Sequence, residues 1–139
     1  MIKDFKLSEH FTFFEMTKTN NFKLLQKNRE IAQKYTHNLT KTVNLLERIR
    51  RKFENKIIIV NSGFRYKKLN QIVGGSKTSN HLKGFAVDFY IPELNTLDVF
   101  NKIKFSNINF HKLIYYPYHN FIHISVATFS NDHKTEIRA

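Results

Sequence analysis

Between Ile31 and Phe53 the apolar residues Ile31, Tyr35, Leu39, Val43, Leu46, Ile49 and Phe53 recur at spacings of three and four, with Lys, Arg and polar residues between them. That period puts one apolar stripe on a helix, so one long core helix is expected over this span. Upstream, Thr12 stands three residues before Glu15, the reciprocal pairing that satisfies the first amides of a helix, and a short helix is expected to begin there. The polar stretch from Thr17 to Asn21 reads as a loop.

Further along, the pattern changes to that of strands. Ile57-Ile58-Ile59-Val60 is short and wholly β-branched, which suits a strand buried on both faces, and Asn61-Ser62-Gly63 supplies turn chemistry after it. Gly74-Gly75-Ser76 is a second break. Phe85, Val87, Phe89 and Ile91 alternate with Ala86, Asp88 and Tyr90, so Asp88 lies on the face opposite the large apolar groups, and Pro92 closes the strand. Thr96 is expected to cap a helix carrying Leu97, Phe100 and Ile103. Lys112 to Tyr116 and Phe121 to Thr128 read as two strands joined by a turn at Pro117, with Phe121, His123 and Ser125 on one face. The tail after Ser130 is polar and is expected to fray. The fold class this implies is α+β: a small antiparallel sheet packed on helices from the first half.

Length and composition narrow this further. The chain has 139 residues, the size of a single domain, here taken as 1–139 with a core of chemistry over about 57–128. Its 14 Phe and 6 Tyr are too many for a disordered tail. A formal charge of +12 favours polyanionic partners: nucleic acid, anionic lipid or an anionic wall polymer. The absence of cysteine excludes disulfides, thiolate ligands and a Cys nucleophile, so any metal is held by His and carboxylate. The apolar run Ile57 to Val60 is far short of a membrane span, and Met1-Ile2-Lys3-Asp4 does not open a signal peptide. On this reading the chain is made in the cytoplasm without an export signal, as a monomer.

His81, Asp88 and His123 are the residues with the clearest chemical promise. Two imidazoles and one carboxylate form a three-ligand zinc set that leaves a fourth position for water, the arrangement of a hydrolytic site. Spacing alone leaves a plainer reading open, in which each is a hydrogen-bonded polar residue of a turn or strand. His10, His37, His111 and His133 have no partner visible in sequence and read as surface or satisfied polar groups. Arg48, Arg50, Arg51 and Lys52 read as the wet face of the long helix.

The wording around these residues favours the metal site. Ser62-Gly63-Phe64-Arg65, Leu69-Asn70, Val73-Gly74-Gly75-Ser76, Ser79-Asn80-His81-Leu82-Lys83-Gly84-Phe85-Ala86-Val87-Asp88 and Phe121-Ile122-His123-Ile124-Ser125 resemble the zinc D-alanyl-D-alanine carboxypeptidases. That family includes phage endolysins and vancomycin-resistance dipeptidases and shares its fold with the hedgehog signalling domain. Every fixed position of its hallmark, SxHxxGxAxD followed by a later His, is filled. The resemblance implies one zinc ion on His81, Asp88 and His123, with Arg65 gripping the C-terminal carboxylate of a peptide and Ser79 near substrate or ligand. Gly74, Gly75 and Gly84 are assigned to backbone geometry, Gly84 allowing the His81 turn to approach the Asp88 strand.

One departure from the family stands out. Its members commonly place a Glu shortly before the final His, where it moves the proton. Here Ile114 to Ile122 contains no acid. Tyr116 falls where many small relatives carry that Glu, and Asn120 where the dipeptidases do. His119 is the one imidazole in this stretch and is the candidate base; Tyr116 is the candidate for steadying the oxyanion. The expected activity is hydrolysis of D-amino-acid stem peptides of peptidoglycan, as a carboxypeptidase or a cross-link endopeptidase acting on the cell wall. The alternatives are a wall-binding homologue without its base and, from another class, a basic nucleic-acid-binding protein, for which no groove-reading element is recognised.

Overall fold

The structure is a computed structural model that describes residues 2–128 and 133–138. The Thr12 and Glu15 pairing forms as expected. The Thr12 amide donates to Glu15 Oε1 at 3.1 Å and the Glu15 amide to Thr12 Oγ1 at 3.2 Å. The helix it starts is a single 3-10 turn, Glu15–Thr17.

The long core helix is in fact two. α1 (Phe22–Ala32) and α2 (Thr36–Lys52) are separated by a 3-10 turn at Gln33–Tyr35. Neither Gly nor Pro marks the break; its cause is tertiary. Tyr35 leaves helical geometry (φ −112°, ψ 15°) and its ring stacks on Phe64, 5.0 Å between centroids. Tightening the turn re-phases the chain, so that α1 buries Asn28 and Ala32 while α2 buries Leu39, Val43, Leu46 and Ile49 in the main core.

The sheet has five strands: β1 (Ile59–Ser62), β2 (Ala86–Tyr90), β3 (Lys112–Tyr116), β4 (Phe121–Ser125) and β5 (Lys134–Ile137), in the order β1-β2-β4-β3-β5. Four strands run antiparallel to their neighbours, but β5 is parallel to β3, so the sheet is mixed rather than antiparallel. β5 also corrects the expected fraying of the tail for 134–137. The polar segment satisfies the free edge of β3 by backbone bonds that need no apolar pattern: the Lys134 amide to the His111 carbonyl and the Arg138 amide to the Tyr115 carbonyl, at 3.0 and 2.9 Å. Residues 129–132, including Ser130, lie outside the described residues.

β1 is an edge strand, and the expectation of burial on both faces fails at Ile57, which is 66% exposed. Asn61 and Ser62, expected as turn, belong to β1, and a register shift between Val60 and Ser62 sets Ser62 opposite Asp88. The helix after β2, α4 (Thr96–Lys104), is capped by Asn95 rather than Thr96: the Asn95 side chain accepts from the Asp98 amide at 3.1 Å. α4 buries Val99, Phe100 and Ile103, whereas Leu97 is left 39% exposed.

The alternation along the strands sorts the sheet into two faces. Val87 and Phe89 of β2, Leu113 of β3, and Ile122 and Ile124 of β4 join the helices in one apolar core. On the opposite face the register aligns Asp88 with His123, His123 with Ile114, and Ile114 with Glu136. That row carries the chemistry.

Candidate metal centre and its cleft

His81 is delivered by a tight 3-10 turn, Asn80–Lys83, placed before β2. Ser79 starts the turn by accepting the His81 amide on its hydroxyl at 3.2 Å, so its side chain serves the turn while lining the cleft. Gly84 ends it in the left-handed region at φ 77°. The approach that requires glycine here is to the core helix: a Cβ at Gly84 would lie 3.2 Å from the Leu39 side chain, and the Thr42 hydroxyl donates to the Gly84 carbonyl at 2.6 Å.

The three expected ligands converge. His81 Nε2 lies 3.3 Å and His123 Nδ1 2.9 Å from Asp88 Oδ1, and the three ligand atoms lie within 4.8 Å of one another. The two imidazole rings meet edge-on at 5.1 Å. His81 Nδ1 bonds the Gly63 carbonyl at 2.6 Å; a carbonyl only accepts, so Nδ1 donates there and Nε2 is the ring nitrogen left to face Asp88 and His123. Gly63 can fill that role because it has no side chain. A Cβ there would come within 2.4 Å of the Met16 carbonyl, which the next amide, that of Phe64, uses at 2.7 Å.

Electrostatics suit the same purpose. Burial pushes the Asp88 carboxyl up, but the neighbouring His81 charge and the hydrogen bonds from His123 and His81 outweigh it and hold the group well below the ordinary carboxylate range. Burial lowers His123 against the opposing pull of Asp88, which favours the neutral imidazole. An ionised carboxylate on which two imidazole nitrogens converge is the donor set of a zinc or similar divalent ion, which would replace the protons the imidazoles share with Asp88, and the residues present fit one.

Arg65 stands beside this cluster. Its amide donates to the His81 carbonyl at 3.1 Å, and its Nε donates to Asn70 Oδ1 at 3.2 Å. Burial lowers the guanidinium, with Asp88 and the Tyr116 hydroxyl pulling the other way, yet a guanidinium stays charged at any working pH. Asn70 is buried in the helix α3 (Lys67–Ile72), and its Nδ2 also donates to the Ser76 carbonyl at 3.0 Å, so one amide ties Arg65 to the glycine loop. Asn28 braces the stretch from behind. Its Nδ2 donates to the carbonyls of Thr17 and Phe64, and its Oδ1 accepts the Tyr66 amide, at 2.9, 3.0 and 2.9 Å.

A cavity of about 420 Å³ opens over the cluster, lined by His81, Asp88 and His123 with Arg65, Tyr116 and Arg138. Asp88 is its one carboxylate among the described residues. Tyr116 therefore reaches the cleft, its ring stacked on Phe121 at 4.6 Å. His119 does not line it: it is exposed in the turn between β3 and β4, its ring 6.2 Å from that of Phe121. A larger cavity, about 830 Å³, lies elsewhere, along α2 beside Glu47, Arg48, Arg50 and Arg51, and none of the three ligands lines it. His10, set aside as a lone polar group, pairs there with the buried Glu47 at 2.8 Å.

Sequence reasoning missed Asn28, the bracing role of Asn70, and Arg138. The signal for the first two was a polar residue within a helical apolar pattern. Arg138, in a polar tail, gave none.

No helix among the described residues is long and apolar enough to cross a membrane. No curated protein matches the chain. A family model described as Peptidase M15 matches residues 9–125, a span that contains all three ligands and the Arg65 stretch. The chain thus belongs to the peptidase M15 family of metallopeptidases, the zinc carboxypeptidase family that its motifs resemble.

Proposed function

We propose that the protein is a zinc D,D-peptidase that hydrolyses D-amino-acid stem peptides of peptidoglycan at the cell wall. The observation that supports this best is the meeting of His81, Asp88 and His123 in a cleft whose neighbouring cation, Arg65, is anchored on Asn70. A zinc ion held by those three residues supplies the positive charge that polarises a scissile carbonyl and activates water.

The chain's own side chains set the rest. Arg65 offers a planar fork to the terminal carboxylate of a peptide, which orients the last peptide bond over the cluster. That placement favours removal of a terminal D-alanine over cutting within a cross-link. Tyr116, held flat by Phe121, directs a hydroxyl into the cavity, where it can donate to the oxygen that gains charge as the carbonyl is attacked. His119, outside the cavity in the turn between β3 and β4, remains the candidate for moving the proton.

A second reading is favoured by one feature: Asp88, the only carboxylate lining the cavity among the described residues, belongs to the ligand set. In that reading the protein binds zinc and a peptide end without efficient turnover. Incubation with a D-Ala-D-Ala-terminated peptide, with and without a chelator, separates the two. Chelator-sensitive release of amine supports the peptidase. One equivalent of bound zinc with no release supports the binder, and release indifferent to chelator contradicts both.

A further inference from the structure

Arg138 lies beyond residues 9–125, so nothing in the family match speaks for it. β5 nevertheless carries it back to the metal-bearing face. Pairing of Tyr115 with Ile137 sets Tyr116 and Arg138 side by side at the end of β3, and the Arg138 Nη1 donates to the Tyr116 hydroxyl at 3.3 Å. Its Nε is held by Glu136 Oε2 at 2.7 Å, which fixes the plane of the fork from outside the cavity. The Tyr116 hydroxyl acts electrostatically on both Arg65 and Arg138, and all three line the one cavity.

The cavity is accordingly lined by three cations, Arg65, Lys112 and Arg138, against one carboxylate already committed to two imidazoles. One terminal carboxylate would satisfy Arg65 alone. We propose that Arg138 is a specificity-determining residue that binds a second carboxylate, carried by the substrate on the amino side of the scissile bond, so that the preferred substrate is an acidic peptide. This rests on the peptidase reading and names the class of peptide. Glu136 limits the strength of the contact by sharing the guanidinium, but the fork has donors enough to serve a carboxylate, a phenol and a substrate group together.

The test uses two synthetic peptides ending in D-Ala-D-Ala that differ only in the residue before that pair, Glu in one and Gln in the other. Binding to the metal-free full-length protein is measured by calorimetry, and kcat/KM is measured separately on the zinc-loaded protein. Wild type is expected to bind the Glu peptide about tenfold more tightly, the scale of one charge-assisted hydrogen-bonded contact. Arg138→Gln should reduce that preference below about twofold while leaving affinity for the Gln peptide nearly unchanged. Equal binding of the two peptides by wild type overturns the proposal and needs no variant. So does a full preference retained in Arg138→Gln with an unchanged thermal midpoint. The calorimetric preference can hold in a protein that cleaves neither peptide, which would sink the peptidase reading alone. Cleavage of both peptides at equal kcat/KM, with equal binding, would sink only the role of Arg138.

Discussion

Replacing Asn28 with alanine removes a fully buried carboxamide that satisfies three backbone groups at once: the carbonyls of Thr17 and Phe64 and the amide of Tyr66. Among the described residues no buried side-chain nitrogen or oxygen lacks a partner, so the site has no slack to absorb the loss. Each such bond contributes about 1 kcal/mol net, and stranding its partner away from water adds a desolvation cost of about 1–3 kcal/mol. Partial relaxation leaves a total of about 3–4 kcal/mol, a large part of the ~5–15 kcal/mol that holds a domain of this kind folded. Asn28→Asp should be no better, because it keeps the acceptor for Tyr66 but turns a negative oxygen toward two carbonyls. Urea unfolding followed by circular dichroism measures the loss. Because Phe64 and Tyr66 flank Arg65, KM for a peptide acid should rise about tenfold in whatever fraction remains folded, with a smaller change in kcat. A destabilisation below about 1 kcal/mol for Asn28→Ala would refute the reasoning, as would an unchanged KM in a clearly destabilised variant.

Gly63→Ala forces a methyl into the Met16 carbonyl and shifts the acceptor that orients His81, so both stability, by about 1–3 kcal/mol, and zinc affinity should fall; calorimetric zinc titration beside thermal melting checks the pairing. For Glu47, burial raises the carboxyl, but hydrogen bonds from Ser8 and His10 and the His10 charge prevail and hold it below its ordinary value of 4.5. Its contribution is thus complete above pH 4.5 and disappears as pH falls through the lower folded value, so the stability gap between wild type and Glu47→Gln should be widest near neutral pH and close on acidification. Tyr116→Phe should lower kcat/KM by about tenfold or more through loss of an oxyanion donor, and His119→Ala should cost less, given its exposure; steady-state kinetics of the two variants rank them.

How far the sequence carried the account differs from residue to residue. Asp88 was legible because strict alternation from Phe85 to Ile91 leaves it no other face, and His123 because it shares a face with Phe121 and Ser125. His81 needed the family wording, since a turn has no period to read. The break at Gln33–Tyr35 was invisible because its cause, the stacking of Tyr35 on Phe64, joins residues far apart in the chain. The β-branched run at Ile57 looked buried on both sides because composition cannot tell an edge strand from a central one. β5 and Arg138 were hidden for a related reason: backbone pairing to an open sheet edge asks little of side chains.

The central claim is that His81, Asp88 and His123 together hold one divalent ion. Equilibrium dialysis of the purified protein against zinc, with metal content read by atomic spectroscopy, tests it most directly. One equivalent per chain is expected in wild type, with near-complete loss in each of His81→Ala, Asp88→Ala and His123→Ala and the fold retained. Binding that survives all three substitutions, or a wild-type protein that takes up no zinc, would contradict it.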